Sequence, residues 1–192
     1  KRETLFIEGG FFSSQLLFSL IIFFEYSRKK KIKNIIFEKK DVRVLKNKII
    51  LKELKKFNIQ FLEDILPFYL VNRFIMYMIL LPKCIFLSFF FSKKKLDKKN
   101  WEKYQFHHSI FDTALSLSND GTLFPKYKIL LKSIFLNLKK KTIAKFLLKK
   151  NIHTIFSSHN VYSVKSFNSV FRKKNINVYC HAAGNIYKLP KN

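Results

Sequence analysis

Residues 152–180 read IHTIFSSHNVYSVKSFNSVFRKKNINVYC. Ile152–Ser157 is a short run rich in β-branched and aromatic residues and predicts a strand. Val161–Lys174 follows as a helix, and Ile176–Cys180 (INVYC) as the last strand. The same alternation runs through the earlier chain. Thr4–Glu8 (TLFIE) and Asn34–Glu38 (NIIFE) read as strands, with an apolar helix from Ser13 or Ser14 to Arg28 between them. Val42, Leu45, Ile49, Ile50, Leu54 and Phe57 form one stripe at helical spacing before a third strand, Asn58–Leu62. Leu66–Phe91 predicts one long helix containing Pro82. Tyr104–Ile110 is expected to be a strand, and Pro125 to open a helix reaching about Lys150. Strand and helix alternating in this way predict an α/β fold: a Rossmann-like three-layer sandwich with a mostly parallel sheet.

Composition excludes several classes. Hydrophobic residues make up 48% of the chain and aromatics 17%, too much apolar surface for a disordered protein. Cys84 and Cys180 are too few for a disulfide framework or a cysteine-based zinc cluster. The length of 192 residues fits one domain, or one and a half. We expect a single Rossmann-like domain over 1–192 that is the front part of a longer protein, with 92–103 (SKKKLDKKNWEK) a charged surface loop.

The net charge of +26 points to an anionic partner. Nucleic acid is the weaker reading. Only 5 of the 38 basic residues are Arg, which supplies bidentate base and phosphate contacts, and the lysines are dispersed among Phe and Ile. Lys, Phe, Ile and Asn, all with AT-rich codons, account for 91 of the 192 residues, so codon bias explains much of the excess. The expectation is no nucleic acid and an anionic membrane surface as partner. Phe11–Phe24 resembles a signal h-region, but a strand and two glycines precede it. Leu66–Phe91 is long enough to span a bilayer, yet Asn72, Arg73, Pro82 and Lys83 interrupt it. A buried or interfacial helix is therefore expected.

Ligands of open parallel sheets bind beyond the carboxyl ends of the strands. Residues closing the expected strands are Gly9-Gly10, Glu63-Asp64, Ser157-Ser158-His159-Asn160 and His181-Ala182-Ala183-Gly184. Turn and capping duties explain each of these alone, and their recurrence at one edge points to a site. Phe11 and Phe12 after the glycines exclude G-x-G-x-x-G, and neither a P-loop nor a G-x-S-x-G elbow occurs. His107, His108 and His159 do not form a metal-ligand pattern, and no metal is expected. His153, inside a strand, reads as structural, and His159, at a strand end, as the proton-transfer candidate. Residues 121–192 contain no acid. Of Asp112 and Asp120, Asp120 lies in an Asn-Asp-Gly turn that explains it locally, and Asp112, placed at an expected strand end, is preferred.

Two elements carry a family resemblance. His108-Ser109-Ile110-Phe111-Asp112-Thr113 resembles the "G-D-L-I-Y-D-T/S" element of bacterial capsule and surface polysaccharide biosynthesis proteins. Ile155-Phe156-Ser157-Ser158-His159-Asn160-Val161-Tyr162 resembles their "V-V-S-x-H-x-x-Y" element, and Asn175–Cys180 is similar to their "G-I-P-V-Y" strand. The chain departs from that pattern at His108, in place of Gly; at Ala114-Leu115-Ser116, in place of Tyr-Leu-Arg; and at Asn168-Ser169, where a "G…R-A" motif is usual. The resemblance covers Tyr104–Tyr187. It implies the amino-terminal, acceptor-side domain of a GT-B-type glycosyltransferase that binds no resident cofactor or metal. Its donor would be a nucleotide-sugar, held mostly by a following domain, and its acceptor a glycan or lipid-linked sugar. The implied location is cytoplasmic, peripheral at the inner membrane face. Asp112 and His159 would be catalytic, and Gly9, Gly10, Tyr162, His181 and Gly184 would bind substrate. The alternatives are a non-enzymatic basic protein of organellar ribosomal type, or an integral membrane protein spanning at 66–91.

Overall fold

The computed structural model describes residues 3–8, 13–30, 32–38, 46–90, 105–118, 126–157, 162–182 and 185–188. The chain divides into two compact units: 1–67, 147–159 and 171–192 in the first, 68–146 and 160–170 in the second.

The first unit holds the sheet. Its strands are β1 (Glu3–Ile7), β2 (Ile32–Phe37), β3 (Asn58–Phe61), β4 (Ile152–Ser157), β5 (Asn177–Ala182) and β6 (Asn185–Lys188), in the order β3-β2-β1-β4-β5-β6. The first five are mutually parallel and β6 runs antiparallel to β5. The strands expected at Thr4, Asn34, Asn58, Ile152 and Ile176 are all present. β6 is an addition to the sequence reading, which ends the sheet at Ile176–Cys180.

Side-chain alternation explains why the strands are near-continuously apolar. Leu5, Ile7, Ile35, Phe37 and Phe156 take one face and form a core with Leu20 and Phe23 of α1 (Ser13–Lys29) and Leu54 of α2 (Lys48–Leu54). Phe6, Ile36, Ile155 and Val178 take the other face and are at most 2% exposed. A sheet closed on both faces is the condition of the Rossmann-like three-layer sandwich, and parallel strands require it. Tyr26 of α1 packs edge-on against Phe156, which in turn stacks on Tyr179 with centroids 5.3 Å apart.

Local chemistry sets the element ends. Asn47 caps α2, its Oδ1 accepting from the backbone N–H of Ile49 and Ile50 at 3.1 and 3.2 Å. Residues 39–45, including Val42 and Leu45 of the expected stripe, lie outside the described residues. Glu63 and Asp64 stand in the first turn of α3 (Leu62–Ile65), where the helix dipole favours acids. Thr4 N–H donates to His153 Nδ1 at 3.3 Å, which ties that histidine to the β1–β4 pairing.

The second unit is helical. It comprises α4 (Phe68–Val71), α5 (Arg73–Phe90), α6 (Gln105–Leu117), most of α7 (Tyr127–Leu148) and most of α8 (Tyr162–Arg172). The single helix expected over Leu66–Phe91 is broken. Asn72 accepts on Oδ1 from the N–H of Phe74 and Ile75 at 3.0 and 3.2 Å, so it caps a new helix, and Pro82 stands inside that helix. The strand expected over Tyr104–Ile110 is also corrected, because Gln105–Leu117 is helix α6. Ser109, Ile110, Thr113 and Ala114 are its buried residues, which is helical spacing. Asp112 therefore sits within a helix, not at a strand end. Residues 92–103, the expected charged loop, and Asn119–Gly121 lie outside the described residues.

Candidate functional site

The order β3-β2-β1-β4-β5 reverses direction between β1 and β4, the topological switch point of a doubly wound sheet. Ile7 pairs with Phe156, and pairing continues one residue further through Glu8 N–H to Phe156 O at 2.8 Å. Ser157 pairs with Cys180. Glu8, Ser157 and Cys180 thus form a row across the carboxyl ends of β1, β4 and β5, on the face that carries Phe6, Ile155 and Val178. They are 2%, 3% and 1% exposed. Burial pushes the Cys180 thiol up to about 12; the Glu8 charge adds to this, while a Ser157 hydrogen bond and the Arg172 charge oppose it. Arg172 is itself 7% exposed. A carboxyl group, a hydroxyl and a thiol are therefore gathered at the edge where such sheets take ligands. Reading the strand ends from sequence passes over Glu8 and stops at the glycines after it. The signal is present all the same, since Glu8 directly follows the apolar run Leu5-Phe6-Ile7.

The second unit carries another constellation. His108 Nδ1 lies 2.8 Å from Asp112 Oδ2, one helical turn on, and 3.2 Å from Lys165 Nζ of α8. Their side chains are 40% exposed for His108 and 25% for Asp112. Nδ1 holds one proton or one lone pair, so it serves one partner at a time. Donating to Asp112, it leaves Nε2 as the basic atom, the arrangement a general base requires. The sequence reading selects Asp112 and sets His108 aside. A strand would point His107 and His108 to opposite faces, whereas a helix returns to Asp112 after His108. His107 is half-buried, and desolvation lowers its pKa.

Beneath this pair the three helices share a buried polar network. Asn137 of α7 donates from Nδ2 to Ser133 O at 2.9 Å and to Thr113 Oγ1 at 3.1 Å, while its Oδ1 accepts from Ser166 at 2.6 Å. Thr113 donates to Ser109 O at 2.7 Å, Ser133 to Ile110 O, and Ser109 to Tyr162 O. Tyr162 opens α8 with φ 52°, left-handed backbone that a bulky residue adopts only under constraint, while its side chain is 36% exposed.

Of the expected site residues, Asp112 and Tyr162 both fall in the second unit, on α6 and α8. His181 lies in β5, opposite Ile186 of β6. Gly9, Gly10, His159 and Gly184 lie outside the described residues. Among the described residues no group of three His, Cys, Asp or Glu is placed to hold a metal ion, and both cysteines are free and buried. Comparisons with family models, curated proteins and solved structures found no match.

Proposed function

We propose that the chain is the acceptor-side domain of a glycosyltransferase-like protein of bacterial surface polysaccharide synthesis. It would transfer a sugar from a nucleotide-sugar to a glycan or lipid-linked acceptor. The observation that carries this reading is the buried row Glu8, Ser157, Cys180 at the switch point of a Rossmann-like sheet. The polysaccharide-protein elements around Asp112 and His159 support it. In this reading the acceptor proton goes to His159, or to His108 Nε2 with Asp112 orienting the ring through Nδ1. Glu8 and Ser157, themselves buried, set the strand ends at the carboxyl edge of the sheet, and the Tyr162 ring packs on a sugar. The leaving nucleotide is stabilised by basic groups and helix amino ends. The donor is held mostly by a following domain, and no resident cofactor or metal takes part.

The location is peripheral, at an anionic membrane surface on the cytoplasmic side. No helix among the described residues is long and apolar enough to cross a membrane.

The test is acceptor-dependent release of nucleotide from nucleotide-sugars by the full-length protein. Asp112→Asn and His159→Ala should each lower turnover by about 10²-fold or more, with the melting temperature little changed. Turnover equal to wild type in both variants, with lowered melting temperatures, would assign the two residues to structure. Absence of release with every nucleotide-sugar class would end the transferase reading.

A further inference from the structure

Helix α5 is buried along one side and apolar on the other. Met76, Leu80, Cys84 and Ser88 recur every fourth residue and are between 1% and 7% exposed. This side meets α7, where the Tyr77 and Phe135 ring centroids are 5.5 Å apart and Ser88 Oγ lies 3.1 Å from the Tyr127 hydroxyl. On the far side Phe74, Met78, Ile85 and Phe89 fall within one narrow arc, with Ile79 and Phe86 beside them. Phe74 is 72% exposed, Phe86 62% and Phe89 73%; in α4, just before, Phe68 is 70% exposed. Scattered apolar residues on a surface are ordinary, but a continuous helix face of this length marks an interaction site.

Charge identifies the occupant. Asp112 is the one carboxylate among the described residues of this unit, whereas Arg73, Lys83, Lys126, Lys128, Lys132 and Lys145 are exposed cations. Lys126 and Lys128 flank Tyr127, whose hydroxyl meets α5. A second copy of the chain would bring like charges together, at a net +26 per copy. An anionic bilayer offers acyl chains to Phe, Met and Ile and phosphates to the cations of the same unit. Eighteen residues rise only about 27 Å, short of the ~30 Å hydrocarbon core, and one side of α5 is already taken by protein.

We propose that α4 and α5 form a monotopic docking face that lies in the surface of an anionic bilayer. The proposal rests on the membrane-surface part of the reading above and not on sugar transfer, so it is read without donor or acceptor. Vesicles of equal parts phosphatidylglycerol and phosphatidylcholine should co-sediment the chain, and phosphatidylcholine alone should hold about tenfold less or under. Replacing Phe74, Met78, Phe86 and Phe89 together by Ser should lower binding to the anionic vesicles by about tenfold or more, with circular dichroism unchanged. Phe86→Trp, made in a Trp101→Phe background so that it carries the sole indole, should shift its emission to the blue when those vesicles are added. Unchanged binding by the four-serine variant overturns the proposal. So does an unmoved emission from the Phe86→Trp chain, which decides alone if the four-serine variant fails to fold. A wild-type chain that leaves the vesicles untouched overturns both the proposal and the membrane-surface reading. A wild-type dimer that the four serines convert to monomer, with no vesicle binding, assigns the face to a second copy.

Discussion

Among the described residues Asn151, Asn175 and Tyr162 hold left-handed backbone, and their settings differ. Asn151 (φ 51°) and Asn175 (φ 58°) lie in the turns before β4 and β5, and Asn tolerates this conformation. Around Asn175 the N–H of Ile176 bonds Phe171 O at 3.1 Å and that of Asn175 bonds Arg172 O at 3.0 Å, the two bonds that close a helix in a Schellman motif. Tyr162, at φ 52°, lacks that tolerance, and its carbonyl is held by buried Ser109. Tyr162→Gly should relieve about 1 kcal/mol in urea unfolding, while the proposed packing of the ring on a sugar predicts a fall in turnover. A loss of stability instead would show that the side chain, not the backbone, matters to the fold. His107 gives a pH dependence. Its folded pKa is depressed below 6.5 by burial, so between the two values the unfolded chain binds more protons. Stability is then fully present above about pH 6.5 and declines as pH falls toward the folded value. Thermal melts from about pH 8 to pH 5.5 should show that decline, shallower in His107→Gln. Equal slopes in the two proteins would contradict this origin.

Elements are legible where apolar spacing is unambiguous. β1, β2, β4 and β5 are short runs whose residues are buried on both faces, and α7 and α8 have the length and flanking signals of helices. The departures have physical causes. In Gln105–Leu117 buried polar residues replace the usual apolar stripe, because Ser109 and Thr113 face Asn137 and Ser133 rather than leucines. Hydropathy cannot register that face, and without it the helix that joins His108 to Asp112 stays hidden. Leu66–Phe91 reads as one helix because Asn72 interrupts it by a capping hydrogen bond, not by a change in apolarity. The polar network itself supplies a test. Asn137→Ala removes the donor to Thr113 and Ser133 and the acceptor for Ser166, all buried, and should cost about 2–3 kcal/mol in urea unfolding. A change under about 0.5 kcal/mol would mean that water or neighbouring groups replace these bonds.

At the scale of the molecule, strand order is not readable from the run of strands, yet it decides where a site belongs. Five parallel strands permit several orders, and only the long segment between β3 and β4 hints that the fourth returns beside β1. That return sets Glu8 next to Ser157 and Ser157 next to Cys180, although about 150 and about 20 positions separate them in the chain. The rule that strand ends carry ligands picks out Gly9-Gly10 and His159. It passes over Glu8, because a lone acid closing a strand looks like a turn residue until its burial is known. The central claim is that this carboxyl edge takes the acceptor. Its most direct measurement is kcat/KM for acceptor-dependent nucleotide release by the full-length protein, wild type against Glu8→Gln, with melting temperatures taken alongside. The account predicts a fall of about tenfold or more, from the loss of the buried carboxyl group that positions the acceptor edge, in a variant that still melts cooperatively. An unchanged kcat/KM in a folded Glu8→Gln protein would contradict it.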